Sequence, residues 1–509
     1  MPDKNYISSD KRISRNTISL YIRSILILVV SLYTSRVLLS ELGQVDFGVY
    51  NVVAGFVMLF TFMNTAMVNS IQRFLNYSLG NNDNNGFIRT FRSSLLIQIL
   101  FVVILIILLE TVGLWYVKNK LNVPTDRYTA ALFLYHLSVV TFTIKILQAP
   151  FSAVIISKEK MSFYAVQGIL ESTFLLLIAF CLNYSNSDKL KLYAVLLAVV
   201  AFVIFVMNII YVHRIDNKIK FIPIWEKQDF KALMSFSGWS VFGSVSTIAK
   251  SQGLNLILNF FFDVLVNASR GISYQVFSGI STFVANFQTA FKPQLIQSYA
   301  EGNFNRYKQL TFLGTKISVY IMWFFTLPII LSINPLLSLW LGDGNVPVYA
   351  ASFTVIALLT GVVDAYASPI AMAVSATGNI KNFQILVSIF KLLIIPIAIY
   401  LCNSGYSPEI ILIVGLLLDI IAIFIRLLVW RRVYEVNLYD YLKSVFLPTT
   451  FVILITYILS NSIISKLPPI NSVMLIFLIV ILSLIVNAIS VLYIGMSRSE
   501  RANLIKVIK

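Results

Sequence analysis

The residues of this sequence that could do chemistry are charged side chains embedded in long apolar stretches. The cations are Arg23, Lys145, Lys250, Lys391 and Arg426, the acids are Glu171, Asp364 and Asp419, and Arg270 lies near the end of its stretch. If the stretches cross a membrane, each charge costs about 2.5–3.5 kcal/mol at the bilayer centre and needs a partner or a wet cavity. The surplus of cations favours an anionic ligand, which Arg would hold through its planar fork and Lys as a point charge.

These cations also have a plainer interpretation, in which a long basic side chain extends along apolar surface and places its charge among the lipid headgroups. This alternative applies most strongly to Arg36, near a helix end, and less to Lys145, Lys250 and Lys391, nearer the middle of their stretches. A pump for hydrophobic cations would need a carboxylate-rich cavity instead.

The composition indicates which elements must position these charges. The chain has 509 residues, of which 58% are hydrophobic and 12% are charged, and its mean hydropathy is +0.83. This composition excludes a water-soluble enzyme. Fourteen runs are long enough to cross a bilayer as helices: 16–39, 47–71, 93–117, 128–156, 161–182, 190–212, 233–259, 264–291, 309–334, 347–375, 382–402, 408–430, 441–461 and 471–495. Barrel strands would be about 10 residues of alternating polarity, so we predict an all-α integral membrane protein with about fourteen transmembrane helices.

The distribution of basic residues predicts the orientation. The chain has 39 Lys and Arg against 22 Asp and Glu, and 26 of the 39 lie in segments that are cytoplasmic if the N-terminus is inside. Basic residues concentrate on the cytoplasmic side of membrane proteins. Both termini are therefore predicted to be cytoplasmic, and the net charge of +17 indicates topology more than binding of nucleic acid.

Metal and cofactor chemistry has no support in the sequence. Cys181 and Cys402 are more typical of buried packing residues than of a disulfide, and the two histidines, His136 and His213, are far apart. Without a Cys/His cluster or a Walker-type phosphate loop, we expect no metal, no cofactor and no ATP hydrolysis in this chain. We expect a protein that is not an enzyme.

Two faint matches indicate an internal repeat. The stretches 149–171 and 368–390 share a proline, a short polar turn and an aromatic-bearing helix, with Pro150 matching Pro369 at an offset of 219. Residues 79–82 match 301–304 at an offset of 222. An offset of six spans gives parallel repeats, a common plan in transporters, although chance likeness between apolar helices is the alternative. We predict an N-terminal lobe at 1–225 with spans one to six and a linker, a C-terminal lobe at 226–435, and spans thirteen and fourteen with a basic cytoplasmic tail at 436–509.

The repeat places residues of opposite charge at similar positions. Lys145 and Asp364 each stand five residues before the repeat proline, and Glu171 and Lys391 are one residue from equivalence. We hypothesise that such pairs bridge the lobes in one state and separate in another, or form a proton relay with Asp419. Pro150 and Pro369 are candidate hinges, with a static kink as the alternative.

Four stretches resemble flippases of the multidrug/oligosaccharidyl-lipid/polysaccharide (MOP) superfamily, most of all its polysaccharide branch. The stretches are SRVLLSELGQVDFGVYNVVAGF (35–56), NSIQRFLNYSLG (69–80), SFSGWSVFG (235–243) and FQTAFKPQLIQSYAEGN (287–303). The resemblance implies a MATE-like fold of two six-helix lobes around a central cavity, with spans thirteen and fourteen added, in the bacterial inner membrane. It implies transport of undecaprenyl-diphosphate-linked repeat units for O-antigen, capsule or exopolysaccharide by alternating access, near a glycan polymerase and glycosyltransferases, with H⁺ or Na⁺ as a coupling ion.

On this interpretation Arg23, Lys145, Lys250, Arg270, Lys391 and Arg426 would stabilise the diphosphate. Three other functions stay open at this point: a cation-coupled multidrug antiporter, a flippase of the peptidoglycan precursor lipid II, and a membrane scaffold for glycan assembly that transports nothing.

Overall fold

The computed structural model describes residues 4–501, apart from 59, 121–124, 186, 220, 263, 343–345, 435–436, 466–471 and 498–499. These residues form α-helices and short π- and 3₁₀-helical segments, and no strand occurs among them. The fold class is therefore the predicted one, all-α. Most of the basic tail predicted at the C-terminus lies outside the described residues.

Eight helices form the first part of the chain. They are α1 (Lys4–Met58), α2 (Thr61–Gly80), α3 (Asn84–Leu108), α4 (Leu114–Lys120), α5 (Tyr128–Leu147), α6 (Ala149–Ser157), α7 (Met161–Cys181) and α8 (Lys189–Ile215). Gly43 interrupts α1 with a φ of 73°, a left-handed conformation that glycine adopts without steric cost. This kink separates the first two predicted spans.

Eleven helices follow. They are α9 (Lys227–Phe261), α10 (Val264–Ala300), α11 (Phe304–Leu331), α12 (Ile333–Leu341), α13 (Ala350–Thr377), α14 (Lys381–Leu392), α15 (Ile394–Asn403), α16 (Pro408–Tyr434), α17 (Leu438–Tyr441), α18 (Leu447–Ile464) and α19 (Ser472–Ser490). The chain divides into two compact units, an N-terminal unit of Asn16–Ser244 and a C-terminal unit of Val245–Lys509 with Met1–Arg15. The three predicted domain ranges stay a prediction.

Eleven helical stretches in the described part of the chain are long and apolar enough to cross a membrane, so the chain is a multi-pass membrane protein. The predicted count of fourteen is not confirmed. The three predicted runs outside this set are 47–71, 233–259 and 264–291. The last two lie in α9 and α10, which are long enough but carry more polar residues, several of them on the cavities described below.

Two buried clusters hold the N-terminal unit together. One joins α1, α3, α5 and α8 through Val53, Leu105, Leu134 and Leu190. The other joins α2, α3, α6 and α8 through side chains that include Leu75, Phe91, Phe151 and Val212. Burial of this apolar surface fixes the position of α5, and a third cluster with Leu38 of α1 and Ala179 of α7 fixes α7.

An ion cluster at one end of this unit ties three elements together. Arg127 donates hydrogen bonds to Asp46 of α1 at 2.6 Å and to Asp188, the N-cap of α8, at 3.0 Å. Burial raises the pKa of Asp188, but the hydrogen bonds from Arg127 and from the backbone N–H groups of Lys191 and Leu190 outweigh it and hold the pKa below its ordinary value. This stabilisation is present above the ordinary pKa of Asp and is lost as the pH falls through the lowered pKa.

The C-terminal unit has a large aromatic core with internal hydrogen bonds. The Trp430 indole N–H donates to the Tyr307 hydroxyl at 3.1 Å, and that hydroxyl donates to the Ala373 carbonyl at 2.8 Å. This chain of bonds joins α16, α11 and α13. The last helices pack on the same core, since Trp323 of α11 donates to Thr456 of α18 at 2.8 Å.

The predicted repeat stays a prediction, but similar turns occur near the matched positions in the two units. The turn between α2 and α3 has Asn82 at a φ of 56° followed by the N-cap Asp83, and the turn between α10 and α11 has Gly302 at a φ of 70° followed by the N-cap Asn303. The structural offset is thus 220 residues, two fewer than the sequence match indicates. Glu159 and Gly378, both at positive φ, follow the ends of α6 and α13, the helices that contain Pro150 and Pro369.

The two repeat prolines have different local structures. Pro150 lies in the first turn of α6, directly after the interruption at Gln148, whereas Pro369 lies inside the continuous helix α13. A break in the hydrogen-bonded ladder makes a helix easier to bend, so this difference favours Pro150 as a flexible point. The assignment of both prolines as hinges stays a prediction.

Replacement of Gly314 by Ala should destabilise the C-terminal unit. A Cβ atom there would lie 2.8 Å from Cζ of Phe291, whose side chain is buried and stacked on Phe287. Overpacking of this kind costs about 1–3 kcal/mol, so Gly314→Ala should lower the thermal unfolding midpoint of the detergent-purified protein.

Gly279→Ala in α10 is the matched control, because a Cβ atom there meets nothing within 4 Å. Since Ala favours helix over Gly by about 1 kcal/mol, the control should keep or raise the midpoint. Equal midpoints for the two variants would contradict the close packing of α10 on α11.

Candidate functional site

A cavity of about 270 Å³ lies inside the C-terminal unit among α9, α10, α13, α14 and α16. Its charged lining consists of Lys250, Arg270, Asp364, Lys391 and Asp419, five of the residues that the sequence singles out. Apolar side chains that include Phe277, Phe353 and Leu416 make up much of the remaining wall. We call this space the charged cavity.

Lys250 and Asp419 form an ion pair in its wall. The Lys250 ammonium donates to both carboxylate oxygens of Asp419, at 2.7 and 2.6 Å. The two side chains are 17% and 13% exposed, so the pair is largely desolvated and each charge depends on the other. It joins α9 to α16.

Asp364 and Lys391 lie closer to the open space. The Lys391 ammonium donates to the Thr247 hydroxyl at 2.8 Å. Asp364 is open to the cavity and interacts electrostatically with Asp419, Lys391, Arg426 and Lys250. Within the part of the chain that the structure describes, its carboxylate has no ion pair within 4.0 Å.

Two arginines complete the group. Arg426 of α16 is 8% exposed, and its guanidinium carbon lies 6.0 Å from the centroid of the Phe383 ring. Arg270 of α10 donates to the Ser251 carbonyl at 3.2 Å through Nη2. Its Nη1 atom, like Nε of Arg426, is buried with no hydrogen-bond partner in the described structure. Buried donors of this kind favour an anionic ligand or water.

A second cavity of about 390 Å³ adjoins the first in the same unit. It is lined by Ser251, Gln252 and Asn255 of α9 and by Arg270, Gly271 and Tyr274 of α10. Ser251, Arg270 and Tyr274 line both cavities. We call this space the amide cavity, because the side-chain amides of Gln252 and Asn255 line it. Arg270 is its one charged lining residue among those described.

Three further predicted site residues lie together in the N-terminal unit. The Lys145 ammonium of α5 donates to Glu171 of α7 at 3.0 Å. Arg23 of α1 places its guanidinium 4.7 Å from the centroid of the Tyr164 ring and rests against Gly168. Tyr164, Gly168 and Glu171 recur at helical spacing and share one face of α7, so this face has one ion pair and one stacked cation.

The structure thus brings the predicted residues into two groups, each within one unit. Lys145 has Glu171 as its partner, and Asp419 has Lys250. Both ion pairs lie inside their own unit. Pairs that bridge the lobes, Lys145 with Asp364 and Glu171 with Lys391, stay a prediction about another state.

Glu110 is an acid inside a predicted span that the sequence reasoning missed. It lies in a π-helical segment, Leu109–Gly113, and forms an ion pair with His136 of α5 at 2.9 Å when the imidazole is protonated. Its presence reduces the surplus of cations counted from the sequence, although it lies in the N-terminal unit, apart from the charged cavity. An acidic residue inside an apolar run was the signal that could have identified Glu110. No sequence pattern predicts the π-helical segment or the pairing with His136.

The amides and the tyrosine of the amide cavity were missed as well. Ser251 and Asn255 are four residues apart and therefore lie on one face of α9. Polar residues at this spacing in a predicted span were the signal that could have identified the cavity. No group of three His, Cys, Asp or Glu side chains that could hold a metal ion occurs among the described residues.

Comparison with known proteins gives a fold and no close relative. No protein-family model matches the chain, and no curated protein matches it. Solved structures do match, among them an outward-facing multidrug-resistance MATE-family transporter of the MOP superfamily, with a TM-score of 0.72 and 12% identity over 86% of this chain and 99% of that one.

A MOP-superfamily transporter from Pyrococcus furiosus matches with a TM-score of 0.69 and 12% identity over 84% of this chain and 97% of that one. That protein is described by a binding pocket of reverse polarity that suggests a different function. A MATE transporter in complex with MaL6 matches with a TM-score of 0.68 and 12% identity over 83% and 96% of the two chains. The chain therefore has the fold of MATE-like transporters of the MOP superfamily.

Proposed function

We propose that this chain is a flippase that moves undecaprenyl-diphosphate-linked oligosaccharide repeat units across the bacterial inner membrane by alternating access, coupled to an ion. The observation that carries the proposal is the charge around the charged cavity. Four cations, Lys250, Arg270, Lys391 and Arg426, lie on it or within electrostatic range, against two acids, Asp364 and Asp419.

The surplus matches the chemistry of a lipid diphosphate. Lys250 and Asp419 neutralise one another, and Asp364 can offset one of the three remaining cations. Two positive charges are left for a ligand with one negative charge on each phosphate group. A buried charge without compensation is strongly unfavourable, so an anionic ligand would stabilise this site more than a cationic drug would.

The comparisons support the fold that this function needs. The alignments with the matched transporters include almost all of those proteins, but they leave about 14–17% of this chain unaligned. That share is similar in length to the predicted addition at 436–509. The Pyrococcus furiosus protein is an example in which pocket polarity is linked to function within one fold.

The proposed setting follows from the basic residues. An inside N-terminus puts most Lys and Arg on the cytoplasmic side, so we place both termini there. A glycan polymerase and glycosyltransferases are the proteins that would act on the same lipid-linked glycan. The chain itself would be a transporter without enzymatic activity, and the lipid tail would pass along the added helices.

A cation-coupled multidrug antiporter is the second candidate. The matched multidrug-resistance transporter and the open carboxylate of Asp364 favour it. A strain that lacks the protein separates the candidates by what collects on its inner leaflet. Lipid-linked repeat unit would indicate the proposed flippase, peptidoglycan precursor with lysis would indicate a lipid II flippase, and drug sensitivity without lipid accumulation would indicate the antiporter.

Removal of the Lys391 charge should weaken binding and flipping of the lipid-linked oligosaccharide in proteoliposomes. A hydrogen bond to a charged group contributes about 1.5–3 kcal/mol, so Lys391→Gln should reduce affinity roughly 10- to 100-fold. Lys443→Gln is the matched control, because Lys443 is exposed and lies on neither cavity. Equal affinity for both variants would count against Lys391 as a diphosphate ligand.

Asp364→Asn should uncouple transport from the ion gradient. The variant keeps the shape of the side chain but loses the carboxylate that would take up H⁺ or Na⁺. We expect an imposed gradient of the coupling ion to accelerate flipping by the native protein and by Asp126→Asn, an exposed control. Asp364→Asn should not respond, and an undiminished response would remove Asp364 from the coupling step.

Two charge exchanges decide which partner Lys145 needs. Lys145→Glu with Glu171→Lys should restore transport lost in the single variants if the observed ion pair within the N-terminal unit is sufficient. Lys145→Asp with Asp364→Lys should restore it only if the bridge between the lobes forms during transport. Initial flipping rates in proteoliposomes give the measurement, and failure of the second exchange beside success of the first would reject the bridge.

A further inference from the structure

The amide cavity differs in chemistry from the charged cavity that it adjoins. Its lining has two side-chain amides, Gln252 and Asn255, a serine and the ring of Tyr274, with Arg270 at the boundary between the two spaces. The volume of about 390 Å³ lies in the range of small-molecule sites, about 300–1,000 Å³. A built polar space next to a charged one implies a ligand with two chemically distinct parts.

The two amides have capacity for a ligand. The Asn255 amide donates to the Gln252 carbonyl oxygen at 3.2 Å, which aligns the two groups. An amide has two donors and two acceptor positions, so most of the donors and acceptors of this pair stay available. Gln252 is exposed and Asn255 is half-buried. Side-chain amides both donate and accept hydrogen bonds. They therefore suit a ligand with hydroxyl groups, which also donate and accept.

Tyr274 supplies a flat apolar surface beside these amides. Its side chain is 59% exposed, and its ring lies 6.0 Å from that of Phe277, centroid to centroid. An aromatic ring combines an apolar face with a polar end. A pyranose ring has a face of C–H groups and an edge of hydroxyls, so it fits between such a ring and a pair of amides.

Arg270 connects the two spaces. Its Nη2 is held by the Ser251 carbonyl, while its buried Nη1 has no hydrogen-bond partner in the described structure. A guanidinium has five N–H donors in a fixed fork, so one part can stay anchored on α9 while another reaches an anion. This arrangement suits the junction between a phosphate and the group attached to it.

We propose that the amide cavity binds the first sugar of the lipid-linked oligosaccharide while the charged cavity holds its diphosphate, with Arg270 at the phosphate next to the sugar. The inference rests on the proposed function, because it assigns the glycan part of that substrate. It makes Gln252, Asn255 and Tyr274 sugar-binding residues, distinct from the cations that bind the diphosphate.

The test compares two ligands of equal charge on the full-length protein in nanodiscs. One is a polyprenyl diphosphate that carries a neutral trisaccharide, and the other is the same polyprenyl diphosphate capped with a methyl group. The double variant Gln252→Ala with Asn255→Ala should lose about 10-fold in affinity for the trisaccharide lipid, since two hydrogen bonds are removed. It should stay within about 2-fold for the capped lipid.

Two further variants separate sugar contact from packing. Tyr274→Leu removes the aromatic face and should weaken only the trisaccharide lipid, whereas Tyr274→Phe keeps the ring and should bind it nearly as the native protein does. Asn403→Ala with Asn461→Ala is the matched control, because both amides are exposed and line neither cavity. It should leave both affinities unchanged.

The outcomes separate this inference from the proposed function. If the native protein binds neither lipid, the flippase proposal fails and the sugar site fails with it. If it binds both, and the double variant loses nothing or loses equally for the two lipids, the sugar site alone is overturned. Selective loss for the trisaccharide lipid supports it.

Discussion

The ion pair between Lys250 and Asp419 is the interaction on which the arrangement of the C-terminal unit depends. It places two opposite charges between α9 and α16, 2.6 Å apart and largely shielded from solvent. Loss of one partner from such a pair costs about 3–5 kcal/mol because the other charge is left uncompensated. The pair therefore sets the approach of α9 to α16, and with it the walls of both cavities, since α9 lines each of them.

The same requirement explains why α9 and α10 are less apolar than the other long helices. A helix that lines a polar cavity cannot be apolar on every side, and intramembrane polar residues are tolerated where they face such a space. The helices that give the unit its stability are different ones. α11, α13 and α16 hold a core in which Trp430 and Tyr307 have hydrogen-bond partners. This core fixes α13 and α16, which carry Asp364 and Asp419 into the lining of the charged cavity.

Much of the fold and the membership of the site could be predicted from the sequence, because both depend on local properties. The length of an apolar run predicts a helix, and a charged residue inside such a run, like Lys391 or Asp364, is recognisable as a candidate site residue. Partners could not be predicted, because pairing depends on which helices pack together. Asp419 and Arg426 lie on one helix, yet the ion-pair partner of Asp419 is Lys250 of α9. The repeat offset from sequence also differed by two residues, since the structural match follows the left-handed turn and the N-cap rather than residue identity.

The MATE-like fold does not by itself determine what is carried, since function depends on the groups at the site. In this chain the decisive quantity is how the charges are distributed around the cavity. Lys250 forms an ion pair with Asp419, and Asp364 lines the same cavity within electrostatic range of Lys391 and Arg426. The site holds more positive than negative charge, so the binding of an anionic ligand and the binding of a proton favour each other. Binding of an anion stabilises the cations, whereas protonation of Asp364 increases the positive surplus and strengthens that binding. In the proposed flippase, coupling of H⁺ to an anionic substrate would then follow from electrostatics, without any direct contact between the two.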